Sequence, residues 1–212
     1  HRAKDYARFQ SDHALALSDG RVVEAERIVI ATGSRTAVPE MFEALGDRLI
    51  VNDDGFDWET LPEAVAVFGA GVIGLELGQA LHRLGVRVTL FGRDHFVGPL
   101  TDPEVRARAR ALFEEELAFH PDADVTRVAR TAEGVEIDHV VDGDARTERF
   151  DYALVATGRR PNTDGLGLEN TTLERDGRGV PVYDFHTGRC GDSHVFIAGD
   201  AMDRLPLLHE AA

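Results

Sequence analysis

What this 212-residue chain has little of already narrows its chemistry. A single cysteine, Cys190, excludes an internal disulfide, a dithiol redox centre and a four-cysteine zinc site. Standing alone, it reads as a small hydrophobe and not as a reactive thiol. The nine histidines include no His-Glu-x-x-His pattern, and His82, His95, His120 and His139 fall in surface-like text, so no metal is expected. No apolar run reaches the roughly 18 to 20 residues of a membrane helix, because the longest stretch, residues 64–78, carries Glu76. The start shows no signal-peptide pattern, and a cytoplasmic location is the expectation. Positive charge is scarce as well: Lys4 is the one lysine, and 38 acidic against 23 basic residues leave a net charge of −15. That field repels phosphate backbones and anionic lipid, which argues against nucleic-acid and membrane partners.

What is present is ordinary globular composition, with 43% hydrophobic residues, 21 glycines and 8 prolines, enough for one or two domains. Residues 6–32 read as extended segments, with Asp19-Gly20 as a hairpin turn between Ala14–Leu17 and Val22-Val23. Residues 27–33 form a buried strand stopped by Gly33. Residues 34–62 read as a connecting stretch with one short strand at residues 49–51. Next come a strand at residues 64–68, a helix from Val72 to Leu84 with Ile73, Leu77, Leu81 and Leu84 at helical spacing, and a strand at residues 86–91. Together these make a βαβ unit. Asp102-Pro103 supplies an N-cap and first-turn proline for a helix to about Ala118. Strands at residues 124–130, 134–141 and 146–152 complete a meander, turned at Asp142-Gly143. The chain opens at His1 and stops at Ala212 in what reads as the first turn of a helix, which suggests a piece of a longer protein.

The chemistry-bearing text is Gly69-Ala-Gly-Val-Ile-Gly74, directly after a strand and at the start of a helix, the context a dinucleotide fingerprint requires. Gly69 permits the tight turn, Gly71 lets a pyrophosphate approach the backbone, and Gly74 lets helix and strand pack closely. The helix start adds unpaired N–H groups and positive potential. An acid is expected at the end of the next strand to bind the adenosine ribose of NAD. Here the text is Phe91-Gly92-Arg93-Asp94. Asp94 can fill that role from two positions on, or Arg93 can meet a 2′-phosphate and favour NADP; the third glycine favours NAD. Further on, Val195-Phe-Ile-Ala-Gly-Asp200 ends a short apolar run in an acid that can bind a hydroxyl-bearing ligand or cap the following turn.

In order, Ala31-Thr-Gly-Ser34, Gly69-x-Gly-x-x-Gly74-x-Glu76, Ala156-Thr-Gly-Arg-Arg-Pro-Asn162 and Ile197-Ala-Gly-Asp200 resemble the flavin-dependent pyridine nucleotide–disulfide oxidoreductases, most of all the dihydrolipoamide dehydrogenase branch. The resemblance implies an α/β fold, a Rossmann-like doubly wound NAD(P)-binding domain with a β-meander, plus part of an FAD-binding domain. The implied boundaries are 1–36 (FAD domain, first part), 37–160 (NAD(P) domain) and 161–212 (returning FAD segment). It implies that Thr32, Gly33 and Ser34 line the FAD side, and that Gly69, Gly71, Val72, Ile73 and Gly74 hold the pyrophosphate. Arg93 or Asp94 would meet the ribose, Val128 would lie near the adenine, and Glu76 and Gly158 near the nicotinamide. Asp200 would bind the flavin ribityl chain, and Leu207, Leu208 and His209 would bring a helix start to the flavin. The family's ribose-binding Glu falls on Gly92. A redox Cys pair and a catalytic His-Pro motif, both family features, are missing from this text, so the chain alone is expected to be inactive. The implied parent transfers hydride between reduced flavin and NAD, acts on a small-molecule or lipoyl disulfide, and is a homodimer. The alternatives are a non-catalytic NAD(P)-binding module and an NADPH-dependent reductase or transhydrogenase of the same family.

Overall fold

The computed structural model describes residues 5–202. In chain order the strands and helices are β1 (Ala7–Ser11), β2 (Ala14–Leu17), β3 (Val22–Glu24), β4 (Ile28–Ile30), β5 (Ser34–Thr36), α1 (Glu40–Glu43), β6 (Leu49–Ile50), β7 (Ala64–Phe68), α2 (Val72–Arg83), β8 (Arg87–Phe91), α3 (Pro103–Glu116), β9 (Ala118–His120), β10 (Asp124–Arg130), β11 (Val135–Val141), β12 (Asp144–Phe150), β13 (Tyr152–Val155), β14 (Arg159–Pro161) and β15 (Val195–Ile197). They fall into two compact units: Thr36–Gly158, and the segments up to Arg35 and from Arg159 onward.

The central unit is built on a five-stranded parallel sheet in the order β6-β13-β7-β8-β9. Strand β7 reads Ala-Val-Ala-Val-Phe and is buried along its whole length, as a strand covered on both faces must be. The period of two splits its side chains between two cores. Val65 and Val67 join Val88, Leu90 and Leu154 beneath the helices, packed by Leu75, Leu77, Leu81 and Phe113. Ala64, Ala66 and Phe68 join Phe91, Ala153 and Val155 beneath the meander, packed by Val135, Ile137 and Phe150. Full burial of each such Val or Leu contributes about 1.5–3 kcal/mol. Asp102 caps α3 by accepting from the backbone N–H groups of Glu104 and Val105, with Pro103 at the first turn. The antiparallel meander β10-β11-β12 turns at Asp142 and Gly143, both at positive φ (53° and 87°), as a tight hairpin requires.

Three sequence expectations are corrected here. The helix from Pro103 stops at Glu116, and residues 118–120 leave it as the edge strand β9, where Phe119 plugs into the helix-side core. Residues 146–152 are not one strand. The chain breaks at Asp151, whose Oδ2 accepts from Glu63 N and Ala64 N, and Tyr152 begins a strand of the parallel sheet. The stretch from 34 to 62 holds the short helix α1, anchored by Phe42 and Leu45 in the meander-side core.

The other unit has a three-stranded antiparallel sheet β1-β2-β3, and a parallel pair β4-β15 with Ile28 opposite Val195 and Ile30 opposite Ile197. The strand expected over 27–33 is regular only from Ile28 to Ile30. Phe9, Leu168, Leu173, Val180 and Cys190 close its core.

Candidate functional site

In the central unit the site is a turn and the helix it opens. Gly69 donates its N–H to Phe91 O at 2.8 Å and takes φ +110°, and a Cβ there would lie 2.3 Å from Ala156 O. At Gly74 a Cβ would lie 1.9 Å from Gly69 O, so the first turn of α2 sits against the end of β7 only because that side chain is absent. Gly71 is different: a Cβ there meets nothing within 4 Å. The protein itself has no steric need for a glycine at 71, so the open space above it is what the residue preserves. Gly71 is also the N-cap of α2 and makes no side-chain cap, leaving the first backbone N–H groups of the helix, those of Val72, Ile73 and Gly74, without such a partner. Bare amides plus the positive end of a 12-residue helix fit a pyrophosphate.

Glu76 stands exposed on the second turn of α2. Gly158 takes φ +135°, with open space where its Cβ would be, and its carbonyl accepts from Ala37 N. Val128, half-buried in β10, packs on the meander-side core. At the end of β8, Gly92 is buried and a Cβ there would meet Pro121 Cα at 2.8 Å and Pro121 O at 2.9 Å. An acid at that position is therefore sterically excluded. Arg93 is nearly fully exposed and lies 3.6 Å from Asp94, which sits in the left-handed region at φ +57°.

In the other unit, Asp200 is buried beside Ser34 and Arg159. The Ser34 hydroxyl donates to Asp200 Oδ2 at 3.2 Å and accepts from Arg159 Nε at 2.7 Å, and Arg159 also donates to Ser34 O. Asp200 Oδ1, buried, has no hydrogen-bond partner among the described residues. A carboxylate oxygen in that state calls for a donor such as a ligand hydroxyl. Thr32 and Gly33 are tied to Asn162: Thr32 Oγ1 donates to its carbonyl, its Nδ2 donates to Thr32 O, and its N–H donates to Gly33 O. Sequence reasoning missed Arg159 and Asn162 as site residues, although the text Ala156 to Asn162 carried them. Leu207, Leu208 and His209 lie outside the described residues. Among the described residues there is no cluster of three or more His, Cys, Asp or Glu able to hold a metal, and no helix is long and apolar enough to cross a membrane.

The family model described as pyridine nucleotide-disulphide oxidoreductase matches residues 2–212. The chain belongs to that family. It is 36% identical over 215 residues to dihydrolipoyl dehydrogenase 3 of Pseudomonas aeruginosa, covering 98% of this chain and 46% of the relative. Against dihydrolipoyl dehydrogenase of Bacillus subtilis the identity is 30% over 190 residues, covering 88% and 40%. Among solved structures, LpdA from Mycobacterium tuberculosis superposes with a TM-score of 0.78 at 29% identity, over 94% of this chain and 43% of that one. The HOCl-induced flavoprotein disulfide reductase RclA from Escherichia coli shares the fold, with a TM-score of 0.84 at 21% identity, over 98% and 47%. The chain thus spans about half the length of the curated relatives it matches.

Proposed function

We propose that this chain is the nucleotide-holding segment of an FAD- and NAD(P)-dependent disulfide oxidoreductase of the dihydrolipoamide dehydrogenase kind. One observation carries the reading: Gly69 and Gly74 are required by close backbone packing, whereas Gly71 is required by nothing in the protein and faces open space at the start of α2. In this role the amides of Val72, Ile73 and Gly74 hold the pyrophosphate, Val128 borders the adenine, and Glu76 and Gly158 flank the nicotinamide. Asp200 Oδ1 accepts from a hydroxyl of the flavin ribityl chain, held in place through Ser34 and Arg159, with Thr32 and Gly33 alongside. Leu207 to His209 would bring helix amides to the flavin. When bound, the two cofactors supply hydride transfer between reduced flavin and nicotinamide. The dithiol chemistry lies elsewhere in a homodimeric parent acting on a lipoyl or small-molecule disulfide, since Cys190 is the one cysteine here and burial pushes its thiol up to about 11. The chain by itself therefore does not reduce disulfides.

A second reading concerns the nucleotide. Because Pro121 closes the space an acid would need at Gly92, and because Arg93 is exposed beside it, NADPH is favoured over NADH at the ribose. Calorimetric titration of NADH and NADPH into the full chain tests both readings. Saturable binding that Gly71→Val abolishes supports the site, and the tighter ligand decides the nucleotide. Binding of neither, or binding that Gly71→Val leaves intact, overturns the reading.

A further inference from the structure

We infer that Asp122 is a positioning residue for Arg93: through His95 it holds the turn after β8 in a strained form that sets the Arg93 guanidinium for the 2′-phosphate of NADP(H). The ligand is the one favoured above, and the role of Asp122 rests on that reading. Three non-glycine residues among those described take positive φ: Asp94 at 57°, His95 at 59° and Asp142 at 53°. Asp142 precedes Gly143 in the hairpin between β11 and β12, where such a conformation closes the turn. Asp94 and His95 close no hairpin, because the chain runs on from β8 to α3. They are nevertheless consecutive, at the centre of a turn in which Phe96 N donates to Arg93 O at 3.2 Å. Glycine takes this conformation at no steric cost, whereas Asp and His must each strain to reach it. Strain of this kind persists where the surroundings impose it, and it collects at ligand sites.

The surroundings are specific. Asp122, in the segment after β9, accepts from His95 N at 2.7 Å through Oδ1, and its Oδ2 meets His95 Nδ1. Arg110 of α3 steadies that carboxylate, donating to Oδ2 at 3.3 Å while its Nε donates to Glu114 at 2.8 Å. The rest of the loop is tied to the glycine motif. Gly92 N donates to His120 O at 2.8 Å, and a Cβ at Gly92 would lie 3.1 Å from the Cβ of Ala70. At the far end Val97 is buried in the helix-side core, and Gly98 N donates to Ala70 O at 2.7 Å. Both ends of the loop therefore come up against Ala70, between Gly69 and Gly71, and Arg93 stands one residue past the position that an acid cannot occupy. Its side chain is 91% exposed, with the Asp94 carboxylate 3.6 Å away, a surface pair that a phosphate can displace. With the turn closed on Arg93 O and gripped at His95, the backbone that carries Arg93 is ordered before the nucleotide arrives, which lowers the cost of binding.

Calorimetry of NADPH and NADH with the full chain and its variants tests this. Asp122→Ala should weaken NADPH at least about fivefold and NADH less than about twofold, a split that general loosening of the fold does not produce. Asp122→Asn, which keeps an acceptor for His95 N, should recover most of the loss. In a chain already carrying Arg93→Gln, Asp122→Ala should add little further loss, since one residue acts through the other. His95→Gly in the Asp122→Ala background should restore NADPH affinity, because glycine holds positive φ unaided. Equal weakening of both nucleotides, additive losses, or a loss that neither Asp122→Asn nor His95→Gly repairs overturns the positioning role and leaves the glycine-motif site standing. Tighter binding of NADH than of NADPH to the unaltered chain does the same, whereas binding of neither overturns the proposed function itself.

Discussion

Gly71 and Gly74 are chemically identical, yet they should respond in opposite ways to a side chain. At Gly74 a methyl group would lie 1.9 Å from Gly69 O, so Gly74→Ala must separate helix from strand. It should lower stability by at least ~1–3 kcal/mol in a urea titration. At Gly71 a Cβ meets nothing within 4 Å, so Gly71→Val should leave the urea midpoint near that of the parent chain, while nucleotide affinity falls at least about tenfold, or ~1.4 kcal/mol. If both variants merely destabilise, the distinction between a packing glycine and a ligand glycine fails. Cys190 supplies a third prediction at this scale. With its thiol buried and pushed up to about 11, it should resist a thiol reagent at neutral pH and react at once when the chain is unfolded in urea. Fast labelling of the native chain would contradict that burial.

Among the elements, α3 and the meander rest on identifiable polar devices. Asp102→Ala removes the acceptor for two backbone N–H groups and should cost ~1 kcal/mol, with Asp102→Asn recovering most of it in thermal melts. On the outer face of the meander, Arg127 and then Arg149 hold the Glu136 carboxyl below the usual carboxylate range, and Thr147 and then Arg127 do the same for Asp138. Folded carboxylates held low stabilise above their unfolded pKa, and that contribution is lost as pH falls through the folded value. Melting temperature should therefore drop as the solution is acidified below the carboxylate range, and the drop should be smaller in Asp138→Asn. Equal acid sensitivity in both chains would show that the Asp138 carboxylate contributes nothing, as is common for solvent-exposed pairs. The legibility of these elements in the sequence was uneven for a physical reason. Strands β7 and β8 and helix α2 announce themselves because their apolar period matches their own geometry. The edge strand β9 is three residues long and carries no period of its own, and the break at Asp151 is made by a carboxylate answering two amides 87 and 88 residues away.

For the whole molecule, two compact units and a length about half that of the curated relatives set the outlook. If one side only of the flavin is held here, by Asp200, Ser34 and their partners, the purified chain should retain little or no FAD. An absorbance spectrum with a stoichiometric flavin band co-eluting with the chain would contradict that. The sequence by itself determined the family, the α/β class and the dinucleotide fingerprint, because these reside in glycines, capping residues and hydrophobic periods that act over a few neighbouring positions. Tertiary structure alone decided that Gly71 faces open space while Gly74 does not, that Pro121 shuts the acid position at Gly92, and that His139 is buried beside Glu148. Each of these depends on backbone or side chains brought together from different strands, and no local pattern of letters encodes the distance between them.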